Sequence, residues 1–371
     1  MAKKKYLILI EDDCEVKGNG LGNVMEHQFI PSLMMMELAQ KYNVKMTFMV
    51  DVAHQLEFRK HLDKSNIRIQ SDIWNEMILL MKEMGFDVQL HLHPQWLGAK
   101  YQDGNFLLSS NWNIGQYNHE VQRELITNAV SYLNDLIKPK YPEYSVHSYK
   151  AGSWGMQPSK NLLEIFNEIG IKILMGPRDG MVLPHWGVNY AALEEKNLPY
   201  HPDCEDITKI SKIKNSFCVL PLQVYEPDLL TLSKLVYSMI SNKIFNADEL
   251  SYLHKNPIHE DILNLGKGSI RNLIKLSIKP YRTHLKIGSQ PFSFMKASFD
   301  SVIKRLNTYE ASRIPLVIES HTKQYRNNLA EIEKFLYYIN DQYSDLVEFG
   351  DMTMLMDEIS KNEIRIAGES K

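Results

Sequence analysis

The 371-residue sequence has few cysteines and no long apolar run. Its three cysteines, Cys14, Cys204 and Cys218, are odd in number and widely spaced, which argues against a disulfide scaffold. No stretch approaches the ~20 apolar residues of a membrane span. Neither sign of charge dominates, because the chain has 42 lysines and arginines and 45 acidic residues, which give a net charge of −3. Nucleic acid and anionic membrane surfaces are therefore poor candidates as partners.

The N-terminus resembles a secretory signal only superficially. Three lysines precede the apolar run Tyr6–Ile10, but that run is five residues long and ends in acids, which is too short for a signal peptide. A hydrophobic content of 44% and a charged content of 23% are typical of a soluble globular protein with a large core. We therefore expect a cytoplasmic protein.

Apolar runs of strand length alternate with segments of helical periodicity, which predicts a parallel sheet covered by helices. The predicted strands cover residues 6–10, 45–50, 87–93, 145–151, 171–175, 316–320 and 346–349. The predicted helices cover residues 29–42, 72–84 (with Asp72 as N-cap), 120–137, 159–169, 328–340 and 353–360. We interpret the pattern as one α/β domain over residues 1–371, a distorted (β/α) barrel of about seven parallel strands.

This regularity fails in the later part of the chain. Residues 177–307 contain a strand-like segment at 217–220, a helical pattern at 229–241 and a basic, glycine-containing stretch at 266–286. We predict that residues 177–307 form an irregular insertion within the barrel.

Unusual polar residues follow four of the predicted strands. Active sites of such barrels lie beyond the carboxyl ends of the strands, so these residues are expected to lie close together. The four segments are Glu11–Glu15, His91–His93, Lys150–Trp154 and Glu319–His321.

His91 and His93 give the strongest signal. Residues i and i+2 of a strand face the same side, so both imidazoles can reach one ion, and a carboxylate from the first strand would complete a three-ligand site open to water. Two structural histidines are the alternative.

The other polar positions allow more than one interpretation. Asp12 and Asp13 are adjacent, so on an extended strand they face apart, and a solvated acidic turn is an alternative to a metal site. Lys150 could be an ordinary surface lysine, and His321 could cap or stabilise a strand end.

These motifs resemble those of the polysaccharide deacetylase superfamily and occur in the same order along the chain. Members of this superfamily share a NodB-homology domain of carbohydrate esterase type. The resemblance covers residues 6–323. The matching segments are Ile10–Asp13 for the paired acids, Met46–Val50 for a threonine-phenylalanine strand, Gly85–His91 for the histidine motif, Lys150–Trp154 for the R-A-G-S-W type motif and Pro315–Lys323 for the strand of the acid histidine.

Three departures from the family pattern affect the site. The usual H-x-x-x-H is replaced by His91 and His93, with Gln95 at the expected second position. This H-L-H-P form resembles a branch associated with cell-surface polysaccharide loci. The usual arginine is Lys150, which lacks a bidentate fork. The first motif also has four acids instead of two.

The resemblance implies a divalent metal ion, with zinc expected, held by Asp13, His91 and His93. Asp12 would then be the base, Lys150 would keep it ionised, and His321 would protonate the leaving amine. A D-x-E register, with Asp13 as base and Glu15 as ligand, is the rival interpretation.

The implied substrate is an acetylated sugar or a sugar-containing precursor, from which a metal-dependent hydrolase removes an acetyl group. Tryptophans in strand-end loops suit the apolar face of a pyranose, and we predict Trp96 and Trp154 as substrate-binding residues. Two alternatives remain: a hydrolase of a non-sugar amide, and a non-catalytic carbohydrate-binding barrel whose metal site has degenerated.

Overall fold

The computed structural model describes residues 4–18, 20–211, 213–214, 216–228, 230–231, 282–288 and 290–369. Its main sheet has eight parallel strands, which are β1 (Tyr6–Cys14), β2 (Thr47–Asp51), β3 (Asp87–Leu92), β6 (Ser148–Ala151), β7 (Ile173–Met175), β10 (Cys218–Leu220), β13 (Ile314–His321) and β14 (Val347–Gly350). Their order in the sheet is β10-β7-β6-β3-β2-β1-β13, with β14 also paired to β1. The prediction of a distorted parallel barrel is thus confirmed.

Strand β1 is the central element of the sheet. All nine of its residues are buried, as expected for a parallel strand covered on both sides. It pairs with β13 along one side, and on its other side it pairs first with β14 and then with β2. Its carboxyl end therefore lies between those of two neighbouring strands.

Helices cover the sheet. They are α1 (Ile30–Lys41), α2 (Val52–Phe58), α3 (Ser65–Glu83), α4 (His119–Ile137), α5 (Lys160–Ile169), α6 (Phe292–Leu306), α7 (Leu329–Gln342) and α8 (Met352–Ser360). Local signals fix several ends: Asn118 Oδ1 accepts from Val121 N at 2.9 Å before α4, and Gly170 adopts a left-handed conformation after α5. None of the helices in the described part of the chain combines the length and apolar character needed to cross a membrane.

Helix α3 begins earlier than the sequence pattern predicts. It begins at Ser65 and not near Asp72, so Asp72 is an exposed residue within the helix and not its N-cap. The first turns of the helix are mostly polar, and their buried face consists of Ile67 and Ser71, so they carry little apolar periodicity. Helices α2 and α6 were not predicted.

Three short two-stranded antiparallel sheets lie outside the main sheet. They are β4 (Lys100–Gln102) with β5 (Asn105–Leu107), β8 (Met181–Leu183) with β9 (Val188–Tyr190), and β11 (Val224–Tyr225) with β12 (Thr283–His284). The first pair lies in the loop that follows β3.

Residues 177–307 contain regular structure where they are described. Strand β10 joins the main sheet beside β7, and the segment after β12 runs along β13, with Lys286 opposite Glu319. The helical pattern predicted at 229–241 and most of the basic stretch at 266–286 lie outside the described residues. The insertion boundaries remain a prediction.

Candidate metal centre and its charged surroundings

Strand β1 directs its acids to opposite sides. Asp12 is fully buried and accepts a hydrogen bond from Thr322 Oγ1 at 2.5 Å. Its neighbour Asp13 contacts Lys150 on the other side of the strand. The prediction of Asp12 as the base beside the metal therefore needs correction. The strand stays extended through Cys14, so the turn that would have brought both aspartates together does not occur there.

Glu15, His91 and His93 converge at the carboxyl ends of β1 and β3. One ligand atom from each lies within 4.8 Å of the others, and all three residues are buried. Glu15 Oε2 is 3.7 Å from His91 Nε2 and in direct contact with His93 Nε2. Ligands about 2 Å from a tetrahedral zinc ion lie roughly 3.3 Å apart, so small shifts would adapt this triad to an ion.

The tautomer of His91 suits a ligand. Its Nδ1 donates to the carbonyl oxygen of Lys150 at 2.9 Å, so the lone pair is on Nε2. This buried Nε2 has no hydrogen-bond partner among the described residues. An imidazole nitrogen buried without a partner is costly unless something else occupies that position. The predicted ligand His91 therefore fits a metal.

His93 is held from two sides. Its Nδ1 lies 2.8 Å from the Gln95 amide, and a half-turn of that amide would let its oxygen accept the Nδ1 proton and free Nε2 for a metal. Gly152 packs so closely that a Cβ there would lie 2.8 Å from the His93 ring. The glycine of the Lys150–Trp154 motif thus makes room for this ring.

The pKa values of Glu15 and His93 shift in opposite directions, because each group stabilises the charged form of the other. Burial raises the pKa of Glu15, but His93 and Lys323 outweigh it and hold that pKa well below its usual range. Lys323 Nζ lies 2.6 Å from Glu15 Oε1. Burial lowers the pKa of His93, but the Glu15 carboxylate outweighs it and raises that pKa above its usual value. An anionic carboxylate beside two imidazoles is a donor set that zinc accepts.

Asp13 lies beside this triad with a cation and a histidine. Lys150 Nζ is 2.9 Å from Asp13 Oδ1, and His321 Nε2 is 3.4 Å from Asp13 Oδ2. Asp13 Oδ1 is 3.9 Å from His91 Nδ1, the nitrogen that already donates to a carbonyl. The structure therefore groups Asp13, predicted as a ligand, with the predicted catalytic residues Lys150 and His321.

Lys150 is a buried cation among three carboxylates. Besides Asp13, its Nζ lies 2.6 Å from Glu11 Oε1 and 3.3 Å from Glu319 Oε2. Burial lowers the pKa of Lys150, but the carboxylates outweigh it and raise that pKa well above its usual value. Lys150 is therefore a fixed positive charge, and the alternative of an ordinary surface lysine is wrong.

The two further carboxylates behave differently. Burial raises the pKa of Glu11 well above its usual range, with Lys150 only partly opposing it. Burial acts in the same direction on Glu319, but Lys150 and Lys286 outweigh it and hold its pKa well below the usual range. Glu319 Oε1 is 3.1 Å from both Lys286 Nζ and His284 Nε2. Glu319 therefore connects Lys150 to the segment that lines β13.

His321 lies at the edge of the cluster, with 19% of its side chain exposed. Burial lowers its pKa to about 4, although Asp13 and Glu319 oppose the shift. The ring is therefore neutral near pH 7 and can act as an acid only after a proton reaches it, for example from Asp13.

The two predicted sugar-binding tryptophans differ in position. Trp96 is only 2% exposed and packs against Phe58 and Phe106, so it belongs to the core and not to a surface that a sugar can reach. The error arose because a strand-end loop can turn its aromatic residues inward. Trp154 is half-buried, donates from Nε1 to Glu319 Oε2 at 3.2 Å and has Lys286 over one face of its ring.

Several residues of this site were not predicted. Glu15 was named only in the rival register. Glu11 and Glu319 lie within the motifs of the first and the late strand, and their i, i+2 spacing to Asp13 and His321 is the signal that places them on the same face. His284 and Lys286 had no sequence signal, because they follow an irregular stretch and reach the site only through pairing along β13.

Asp12 offers a test of this description. Burial raises its folded-state pKa from 3.8 to about 7, so the folded protein binds this proton more tightly than the unfolded chain does. Stability should therefore fall between about pH 4 and pH 7, by on the order of 4 kcal/mol for this group alone. Asp12→Asn should remove that loss, so its stability relative to wild type should rise across this range. Urea denaturation at pH 4 and 7.5 measures the difference. Asp72→Asn on the exposed face of α3 is the control, and a pH-independent difference for Asp12→Asn would contradict the assignment.

Comparison with known proteins supports the architecture. The sequence matches no protein-family model. It also matches no curated protein. Among solved structures, a Mycobacterium smegmatis protein assigned as a polysaccharide deacetylase aligns with a TM-score of 0.53 at 11% identity, covering 99% of this chain and 94% of that one. A Pseudomonas aeruginosa protein with the same assignment gives 0.48 at 12% identity, covering 97% and 92%, and an allantoinase gives 0.49 at 10%, covering 97% and 92%. At these identities the first alignment shows that the chain shares the fold of the Mycobacterium smegmatis protein.

Proposed function

We propose that the chain is a metal-dependent hydrolase of the polysaccharide deacetylase superfamily, which removes an acetyl group from an N-acetylated sugar. The observation that carries this proposal is the convergence of Glu15, His91 and His93 beside an aspartate that is paired with a buried lysine. The motif order in the sequence and the shared fold point in the same direction. Non-sugar amides remain the alternative substrates.

In this proposal the D-x-E register applies. Glu15, His91 and His93 hold the ion, and Asp13 is the base. When bound, a divalent ion acidifies a coordinated water and polarises the substrate carbonyl. Zinc is the expected metal, because one carboxylate and two imidazoles leave a coordination position open.

Asp13 accepts the proton of the attacking water. Lys150 Nζ, 2.9 Å from Asp13 Oδ1, pairs with this carboxylate and positions it for its role as the base. The amine released from an amide must leave with a proton. His321, 3.4 Å from Asp13, is the group through which that proton is passed on. The contact of Asp13 with Lys150 thus serves the attack of water, and its contact with His321 serves the protonation of the leaving amine.

The ligand set is tested by metal content. Wild-type protein supplied with Zn²⁺ should retain about one ion after dialysis, and Glu15→Gln, His91→Ala and His93→Ala should each retain close to none. Asp13→Asn should keep its ion. Elemental analysis gives the answer, and His119→Ala on α4 is the matched histidine control. Metal loss in Asp13→Asn together with retention in Glu15→Gln would refute the D-x-E register.

The reaction is tested by acetate release from N-acetylglucosamine oligomers. Zinc-loaded wild type should release acetate and the metal-free His91→Ala protein should not. A protein that retains zinc but hydrolyses neither these oligomers nor other acetamido sugars would contradict the proposed function and favour the non-catalytic alternative.

A further inference from the structure

The candidate metal ligand His93 lies where the pairing between β2 and β3 has already ended. The last paired residues of these two strands are Asp51 and His91, and helix α2 begins at Val52. The backbone of β2 therefore turns away before it would lie opposite His93. The hydrogen bonds that fix neighbouring parallel strands to each other no longer hold His93 on this side.

The carboxylate of Asp51 takes the place of the missing strand partner. Asp51 Oδ1 accepts a hydrogen bond from His93 N at 3.1 Å, and the same oxygen accepts from Ala53 N at 3.1 Å in the first turn of α2. Asp51 is only 1% exposed, so both N–H groups depend on this oxygen and not on solvent. One oxygen thus ties the backbone of a metal ligand to the start of a helix.

The second oxygen of this carboxylate faces a buried histidine. His54 Nδ1 lies 3.4 Å from Asp51 Oδ2, and the His54 ring is fully buried. The rings of Phe58, Trp74 and Trp96 surround it, with centroids 5.3, 6.0 and 5.8 Å from its own. Such close packing leaves the His54 ring few alternative positions. The Asp51 side chain is therefore held from two directions, as a rigid anchor requires.

The backbone position of His93 matters because a ligand nitrogen must meet the ion within about 0.2 Å. Gly152 and Gln95 contact the His93 ring and limit its orientation. Neither contact fixes the backbone of His93. A shift of that backbone would carry Nε2 away from Glu15, whatever the orientation of the ring.

We propose that Asp51 is a positioning residue of the metal centre, which holds the backbone of His93 so that its imidazole reaches the ion together with Glu15 and His91. Its part in a deacetylase rests on the proposed function, whereas the anchoring of His93 rests on the hydrogen bond alone. A simple helix cap is the alternative role, because Asp51 precedes α2 and aspartate is a preferred N-cap residue. A cap alone predicts lower stability with unchanged metal affinity.

Zinc affinity separates the two roles. Asp51→Ala should raise the Kd for Zn²⁺ about 10–100-fold, the usual effect of removing a group that orients a metal ligand. Asp51→Ser should raise this Kd similarly but lose less stability, because serine remains a good N-cap while its oxygen is one bond closer to the backbone than Oδ1. Asp51→Asn keeps an Oδ1 acceptor for both N–H groups and should bind zinc nearly like wild type. Competition with a chelator of known affinity measures each Kd, and melting temperatures are measured on the same proteins.

Hydrogen exchange in zinc-free protein tests the anchor without the metal. The amide proton of His93 should exchange much faster in Asp51→Ala and Asp51→Ser than in wild type and Asp51→Asn. Asp351→Ala is the matched control for capping. Asp351 Oδ1 accepts from Met354 N at 2.7 Å at the start of α8, a helix that supplies none of the three candidate ligands. This variant should lose stability but keep wild-type zinc affinity and the protection of the His93 amide.

Equal zinc affinity in wild type, Asp51→Ser and Asp51→Ala would overturn the positioning role, and so would an equal loss of affinity in Asp351→Ala. A loss in Asp51→Asn as large as that in Asp51→Ala would also contradict it, because the acceptor oxygen is still present. Zinc affinity that depends on Asp51 in a protein that releases no acetate would instead contradict only the proposed function.

Discussion

Asp13→Asn should lower kcat on N-acetylglucosamine oligomers by on the order of 10²–10⁴, the usual contribution of a general base. An asparagine keeps the size of the side chain but cannot take a proton from water. Zinc content should remain near one ion, since Glu15, His91 and His93 still supply the ligands. Acetate release and elemental analysis on the same preparation measure the two effects.

Asp12→Asn is the matched control for this experiment. The two aspartates are adjacent, but Asp12 faces Thr322 and Tyr325 and not the metal centre. Its variant should keep both zinc and most of its turnover. If Asp12→Asn abolished turnover while Asp13→Asn remained active, the base would be Asp12 and the assignment from strand geometry would be wrong.

Lys150→Met should destabilise the fold by about 3–5 kcal/mol, the usual cost of removing one partner from a buried ion pair. Lys150 is 1% exposed and lies within 3.3 Å of Glu11, Asp13 and Glu319. Without the cation, these carboxylates would be left close together in a site with little water. The change in the free energy of unfolding is measurable by urea denaturation at pH 7.

Two further variants test whether the lost positive charge causes the destabilisation of Lys150→Met. Lys150→Arg keeps the cation and should cost much less than Lys150→Met. Adding Glu319→Gln to Lys150→Met should recover part of the lost stability, because one of the uncompensated carboxylates is removed. A loss below about 1 kcal/mol for Lys150→Met would contradict the view that the network depends on this cation.

Much of the fold followed from local patterns. Strands such as Tyr6–Ile10 are almost purely apolar, because parallel strands are covered on both sides, and they were identified within a few residues. Helix α2 was missed because it directly follows β2, without a loop to mark a boundary. The missed α6 falls within the stretch predicted as irregular, although its ends are well defined in the structure.

The sequence predicted most of the residues of the candidate site but not which of them contact one another. His91 and His93 share a face by strand periodicity alone. The choice between Asp13 and Glu15 depended on where β1 ends, and strand ends are the least certain part of a sequence-based assignment. The contacts of Glu319 with His284 and Lys286 depend on long-range pairing, for which no local pattern exists.

The extended course of β1 has a consequence for how the chain can vary in length. One residue added or deleted between Ile8 and Asp12 would turn both aspartates to the opposite sides of the strand, so that Asp12 would face the side of Lys150 and Asp13 the side of Thr322. The strand cannot slide to compensate, because it is paired on both sides. The strand pairing of β1 ends at Cys14. Natural or engineered changes in length are therefore compatible with the site only after the last acid of this segment, Glu15, and never among the acids themselves.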